Sequence, residues 1–185
     1  MGNSKDPANW KLISEIAKIE SPWVNIIIEN LEDDNGKLLE YWRAEKPDGL
    51  LIVTIQGDKI ILPKSMYRPG VKRRTLDFCG GRFSMEIGFE ENIVKIVRRE
   101  LGIKETQPIL EWSNINNQPW AIDSSFTNSH TYGVVVKIKP EIVLDPAKIG
   151  GMYSSDQKGH SKLLGDLMCV QCRAVALEWL RSLGQ

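Results

Sequence analysis

Residues 80–103 read GGRFSMEIGFEENIVKIVRRELGI. Two glycines open a mixed loop, and from residue 90 the apolar residues change period. Ile93, Ile96, Val97 and Leu101 recur at spacings of three and four, which places them on one face of a helix. Glu90 and Glu91 fall in its first turn, where carboxylates complement the positive end of the helix dipole. Gly102 supplies the stop. The stretch therefore predicts a glycine-opened loop feeding one amphipathic helix over 90–101. Ile96 reads as core beside Ile93 and Val97. Lys95, Arg98 and Arg99 read either as a solvated face or as a basic surface that contacts phosphate directly.

Working outward, the pattern upstream has the period of strands. Residues 23–29 are rich in β-branched side chains, 32–36 (EDDNG) form a turn, and 37–42 return as the second arm of a hairpin. A second hairpin runs over 50–56 and 59–62 about Gly57-Asp58, and 75–78 reads as a short strand ending in Cys79-Gly80-Gly81. The spacing of Leu12, Ile13, Ile16, Ala17 and Ile19 suits a short amphipathic helical stretch. Downstream, strands are expected at 108–112 and 131–139, with polar loops at 114–129 and 146–161. One long terminal helix is expected over 161–183, with Leu164, Leu167, Met168, Val175, Trp179 and Leu183 on its stripe. Hairpins with one central and one terminal helix make an α+β chain.

Composition narrows the function classes. The 185 residues carry 24 Lys plus Arg against 24 Asp plus Glu, a balance that argues against a protein coating nucleic acid or docking on anionic lipid. It leaves room for a local basic pocket. The longest apolar runs, at 24–28 and 50–55, fall far short of the roughly 20 residues that span a bilayer. Residues 1–10 are polar and lack the apolar core of a secretory signal, and three cysteines, an odd number, read as reduced thiols. A cytoplasmic location is expected.

The block at 80–103 resembles, without a gap, the signature of the Nudix hydrolase family, with Gly81 at the opening position and Gly102-Ile103 at the close. Upstream, 64–81 (KSMYRPGVKRRTLDFCGG) resembles the segment of ADP-ribose pyrophosphatases in which a Tyr-Arg pair precedes a short strand leading into the signature. The resemblance implies a Nudix-type α/β/α sandwich with a mixed central sheet over 46–185. Before it, 1–45 would be an N-terminal extension of helix and β-hairpin through which such proteins often form a homodimer. It implies a nucleoside-diphosphate-type substrate and, for an active enzyme, Mg²⁺ or Mn²⁺. Arg68, Gly80, Gly81, Arg82 and Arg99 would then face the substrate.

The family's helix offers three glutamates on one face to hold the metal. Here the corresponding positions hold Ile96, Arg99 and Glu100, with Lys95 at the position of the preceding arginine. The glutamate expected in the loop is Ile87, with Glu86 one residue early. Only Glu100 survives in the helical trio. A unit charge at about 4 Å is worth on the order of 4 kcal/mol at an effective dielectric near 20, so a dication beside Arg99 is strongly disfavoured. A second register, in which Glu91 and Arg99-Glu100-Leu101 match the middle of the signature, deletes the acidic pair altogether. Candidate metal ligands, if a metal binds, are Glu86, Glu91 and Glu100. Candidate catalytic groups are Glu100 and Asp156, the latter as the only carboxylate in the loop GGMYSSDQKGH at 150–160. The sequence therefore points to a pyrophosphatase-like chain with weak or lost hydrolysis, or to a non-catalytic nucleotide-binding or regulatory module.

Two weaker signals remain. Cys169-Val170-Gln171-Cys172 has CxxC spacing, but it falls inside the expected helix, so both thiols read as small buried side chains ahead of a zinc or redox pair. Trp10, Trp23 and Trp42 read as core or dimer packing ahead of adenine stacking.

Overall fold

A computed structural model of the chain describes residues 10–104 and 111–184. The strand expected at 108–112 lies outside them up to residue 110, as do the polar residues 1–9. The chain divides into two compact units, one of residues up to Lys46 together with Ala121–Ser129, the other of Pro47–Trp120 and the residues from His130 onward.

The first unit is an antiparallel sheet of β1 (Lys11–Ile19), β2 (Asn25–Glu32) and β3 (Leu38–Glu45), in that order. The amphipathic stretch expected at its start is therefore a strand. Its pairing with β2 slips between Leu12 and Ser14 and again between Glu15 and Ala17. Each bulge inserts an unpaired residue and breaks the period of two, so the apolar positions acquire a helix-like spacing. Arg43 on β3 pairs with the buried Glu29 on β2 through two bonds of 2.8 and 3.0 Å.

The second unit holds the expected sandwich. Its elements are β4 (Gly49–Gln56), β5 (Lys59–Pro63), β6 (Met66–Arg68), β7 (Arg73–Thr75), β8 (Cys79–Arg82), α1 (Phe89–Leu101), β9 (Trp112–Asn114), β10 (Trp120–Ala121), β11 (His130–Ile138), β12 (Ile149–Ser154), α2 (Gln157–Asp166) and α3 (Val170–Ser182). The central sheet runs β10-β11-β4-β5-β12, with β8 on β4 and β9 on β11. It is mixed, because β11 lies parallel to β4 while β5, β8 and β12 pair antiparallel with their neighbours. One edge of β4 is shared: residues 54–56 pair with β5 and 49–52 with β8. That sharing brings the Gly80-Gly81 pair into the middle of the sheet. The small β6–β7 hairpin stands apart from it.

Alternation along the strands fills two cores. Leu50, Ile52, Ile61, Val134 and Val136 face α1, where they meet Ile93, Ile96, Val97 and Leu101. Val53, Ile60, Leu62 and Val135 face α2 and α3, where they meet Leu163, Leu167, Val175 and Trp179. Each fully buried Ile, Leu or Val contributes roughly 1.5–3 kcal/mol. Gly102 ends α1 with φ of 70°, and a side chain there would meet Asp145 Cβ at 2.4 Å, so both conformation and space require glycine.

Three further expectations are corrected. The strand expected at 75–78 divides into β7 and β8 on either side of it. The loop expected at 146–161 contains β12, whose Gly-rich sequence hides its place beside β5. The single terminal helix is two, because the chain turns extended at Leu167 and restarts from Cys169. Arg173 of α3 donates to the carbonyls of Leu164 and Leu167 and closes the end of α2. Met168 and Leu183, expected on the stripe, are exposed, as are Trp10, Trp23 and Trp42, which are not core.

Candidate functional site

Asn92 organises the loop between β8 and α1. Its side chain is 3% exposed and accepts from the Ser84 N–H at 3.0 Å. Its amide donates to the carbonyls of Ser84, Gly88 and Ile87 at 2.9, 3.1 and 3.3 Å. The hydrophobic period of the helix gives Asn92 no distinguishing mark, and the sequence reading missed it. Downstream of this anchor, α1 packs closely over β8. A Cβ on Gly81 would lie 3.0 Å from the Ile96 side chain and 3.4 Å from Arg99 Nη2. Ile96 and Arg99 therefore both turn toward the glycine pair, Ile96 as core at 3% exposure and Arg99 at the rim.

Arg99 is held at three points. Its Nη2 donates to the Gly80 carbonyl at 2.8 Å, and Nη2 and Nε both reach Glu100 Oε1, at 2.6 and 2.8 Å. One oxygen of the Glu100 carboxylate, Oε1, is thus taken by the guanidinium. Lys148, in the 3₁₀ turn Pro146–Lys148 before β12, donates from Nζ to the Arg99 carbonyl at 2.7 Å and neutralises the negative end of α1.

Beside this end of α1 lies a cleft of about 540 Å³. Lys64, Tyr67, Arg74, Arg99, Glu100 and Lys148 are in its wall. Four cationic residues and one carboxylate, itself paired with Arg99, line the cleft, which therefore carries net positive charge. Arg74 is steadied by its bond to the Ser65 carbonyl at 2.7 Å.

The other predicted residues fall elsewhere. Arg68 does not line the cleft; it pairs with Asp77 Oδ2 at 2.7 and 3.0 Å. Its hairpin partner β7 supplies Arg74 in its place. Arg82 is exposed at the end of β8, opposite Gly49. Glu86 is exposed in the loop, and Glu90 and Glu91 lie in the first turn of α1. Glu91 and Glu100 are nine positions apart in α1, about 13.5 Å along a helix axis. Asp156 caps α2, accepting from the Gly159 N–H at 2.7 Å and the Ser154 hydroxyl at 2.8 Å. Those donors, the Gly159 N–H foremost, hold its carboxyl below the usual range. A general base gains from the opposite shift, toward neutrality.

These groups do not fit Mg²⁺ or Mn²⁺. Such ions want several oxygen ligands in a near-octahedral shell. Ile96, Arg99 and Glu100 offer an aliphatic chain, a guanidinium and a carboxylate with one oxygen bound to that guanidinium. Among the described residues, Glu86, Glu91 and Glu100 take part in no trio of ligand atoms within 4.8 Å.

Only the second cysteine of the CxxC pair sits inside a helix as expected. Cys169 is the N-cap of α3 and half-buried, while Cys172 is buried one turn in. The Cys172 thiol beside it, helped by the N–H groups of the first turn, brings Cys169 down to about 6. The same contact and then burial push Cys172 far up. Cys79, by contrast, is pushed up to about 12 by burial and is inert packing.

No protein-family model matches the chain, and no curated protein matches it significantly. Among solved structures, it is similar to a crystal structure of an ADP compounds hydrolase at 18% identity and a TM-score of 0.75. The match covers 98% of this chain and 99% of that one. At this identity the likeness speaks to the fold, which is the Nudix-type α/β/α sandwich with a mixed sheet.

Proposed function

We propose that the chain binds a nucleoside-diphosphate-type ligand in the cleft beside α1, with metal-dependent hydrolysis weak or lost. The observation that carries this reading is Arg99, whose guanidinium pairs with Glu100 and reaches the Gly80 carbonyl, where a metal-dependent site needs carboxylates. With Lys64, Arg74 and Lys148 it supplies positive charge that a divalent ion would otherwise bring to a diphosphate. Tyr67, half-exposed at the mouth, offers a ring face to a base or sugar. The likeness to an ADP compounds hydrolase supports the same ligand class.

The test is calorimetric titration with ADP and ADP-ribose, in EDTA and again with Mg²⁺ or Mn²⁺, beside an assay of hydrolysis. Binding is expected in EDTA and unchanged by metal, with turnover near background. Metal-dependent turnover in the ordinary enzyme range, about 1–1,000 per second, would remove the reading.

We also propose a homodimer formed through the first unit. Leu12, Ile13, Ile16 and Ile19 on the edge strand β1 are 44–59% exposed, and Trp23 is 69% exposed. An apolar edge strand of nine residues is a template for pairing with another chain. Gel filtration with light scattering should give twice the chain mass, and the pair Leu12→Asp with Ile16→Asp should give one. A wild-type monomer at micromolar concentration speaks against the interface. Three free cysteines suit a reducing, cytoplasmic compartment, and no described helix is long and apolar enough to cross a membrane.

A further inference from the structure

We infer that Asp77, Cys169 and Cys172 form a binding site for a divalent transition metal of the zinc class. One ligand atom from each lies within 4.8 Å of the others. None of the three lines the basic cleft, so the inference stands apart from the nucleotide reading. Cys169 and Cys172 are three apart at the start of α3, which puts both sulfurs on one side of its first turn. Asp77 reaches them from the segment between β7 and β8. Around tetrahedral zinc, bonds of about 2.3 Å to sulfur and 2.1 Å to oxygen give donor separations of roughly 3.5–3.8 Å. The three groups thus need to draw in by only about an ångström.

The carboxylate is prepared for such a role. Arg68 and Thr75 both bind its Oδ2, Arg68 at 2.7 and 3.0 Å and Thr75 at 2.9 Å. This is the kind of outer support that orients a ligand. Its other oxygen, Oδ1, is buried and has no hydrogen-bond partner among the described residues. A buried carboxylate oxygen without a partner is costly, and a cation between it and the sulfurs removes that cost. A disulfide would leave Oδ1 as it is, which favours the metal. Two thiolates, Asp77 and Arg68 sum to −2, the charge that a dication cancels. Thiolate donors select zinc over Mg²⁺ or Ca²⁺. Cys172 is 1% exposed whereas Cys169 is partly exposed, so the ion enters past Cys169 and keeps a fourth position toward solvent.

The test uses the full chain, reduced and stripped of metal, titrated with Co²⁺ and then with Zn²⁺. One equivalent of Co²⁺ is expected to raise a sulfur-to-cobalt charge-transfer band that Zn²⁺ abolishes. The band should vanish in Cys169→Ser, and Asp77→Asn should weaken binding by at least about tenfold. In the unaltered chain, Zn²⁺ should protect Cys169 from iodoacetamide, a readout that needs no variant to fold. Absence of the band, a band unchanged in a folded Cys169→Ser, alkylation indifferent to Zn²⁺, or a Cys169–Cys172 disulfide formed in the presence of excess Zn²⁺ would each overturn the site.

Discussion

Replacing Arg99 by alanine is expected to weaken ADP binding by about 10- to 100-fold with the fold intact. A hydrogen bond to a charged group is worth about 1.5–3 kcal/mol, and 1.4 kcal/mol is a factor of ten in affinity. Arg99 is already aimed by its bonds to Gly80 and Glu100, so little side-chain freedom remains to be lost when a diphosphate arrives. Arg99→Lys should recover part of the loss, because an ammonium keeps the charge but not the fork that reaches both Glu100 and the glycine carbonyl. Titration of both variants with ADP in EDTA, with circular dichroism to check folding, measures the effect. A loss in Arg99→Ala below about threefold would mean that the guanidinium does not face the ligand.

The second large effect concerns the scaffold. Asn92→Ala removes four hydrogen bonds that tie the 84–88 loop to α1 and leaves the Ser84 N–H and the carbonyls of Ser84 and Ile87 without that partner in a part-buried setting, while the Gly88 carbonyl keeps the backbone N–H of residue 92. Neutral bonds of this kind are each worth about 1 kcal/mol, and groups left unsatisfied cost more, so about 3 kcal/mol of stability should go. For a chain of this size that is a fall in Tm of roughly 6–12 °C. Asn92→Asp should do no better, since a carboxylate accepts from Ser84 but cannot donate to the carbonyls. Thermal unfolding followed by circular dichroism is the check; a fall below about 2 °C would show that the loop holds its shape without Asn92.

These two residues show what could be read from the chain beforehand. Where a period or a turn is clean, the fold was legible: α1 from Ile93, Ile96, Val97 and Leu101, and the β4–β5 hairpin from its two apolar arms about Gly57-Asp58. Where the backbone slips or a side chain acts at long range, it was not. The two bulges of β1 gave a strand the spacing of a helix, and β12 is too rich in glycine to show any period. The break between α2 and α3 depends on Arg173 reaching back to the carbonyls of α2, a contact that spacing does not reveal.

The site divides in the same way. Ile96, Arg99 and Glu100 could be singled out because the resemblance over 80–103 picks out their positions on one helix; Ile96 and Arg99 lie against the Gly80-Gly81 pair, and Glu100 is bound to Arg99. Arg68 and Arg74 stand on opposite arms of one hairpin, in adjacent registers. Which of them faces the cleft depends on Asp77, nine residues from Arg68, and no local pattern shows it. Lys148 joins the cleft only because β12 pairs with β5 across more than 80 residues of chain. Asp156, chosen by position in its loop, serves the start of α2.

Crystals grown with ADP and excess Mn²⁺, measured at the manganese absorption edge, test the central claim most directly. The expected result is a diphosphate against Arg99 with no anomalous peak bridging it to α1. A manganese peak ligated by Glu100, with Arg99 swung clear of Gly80, would contradict it.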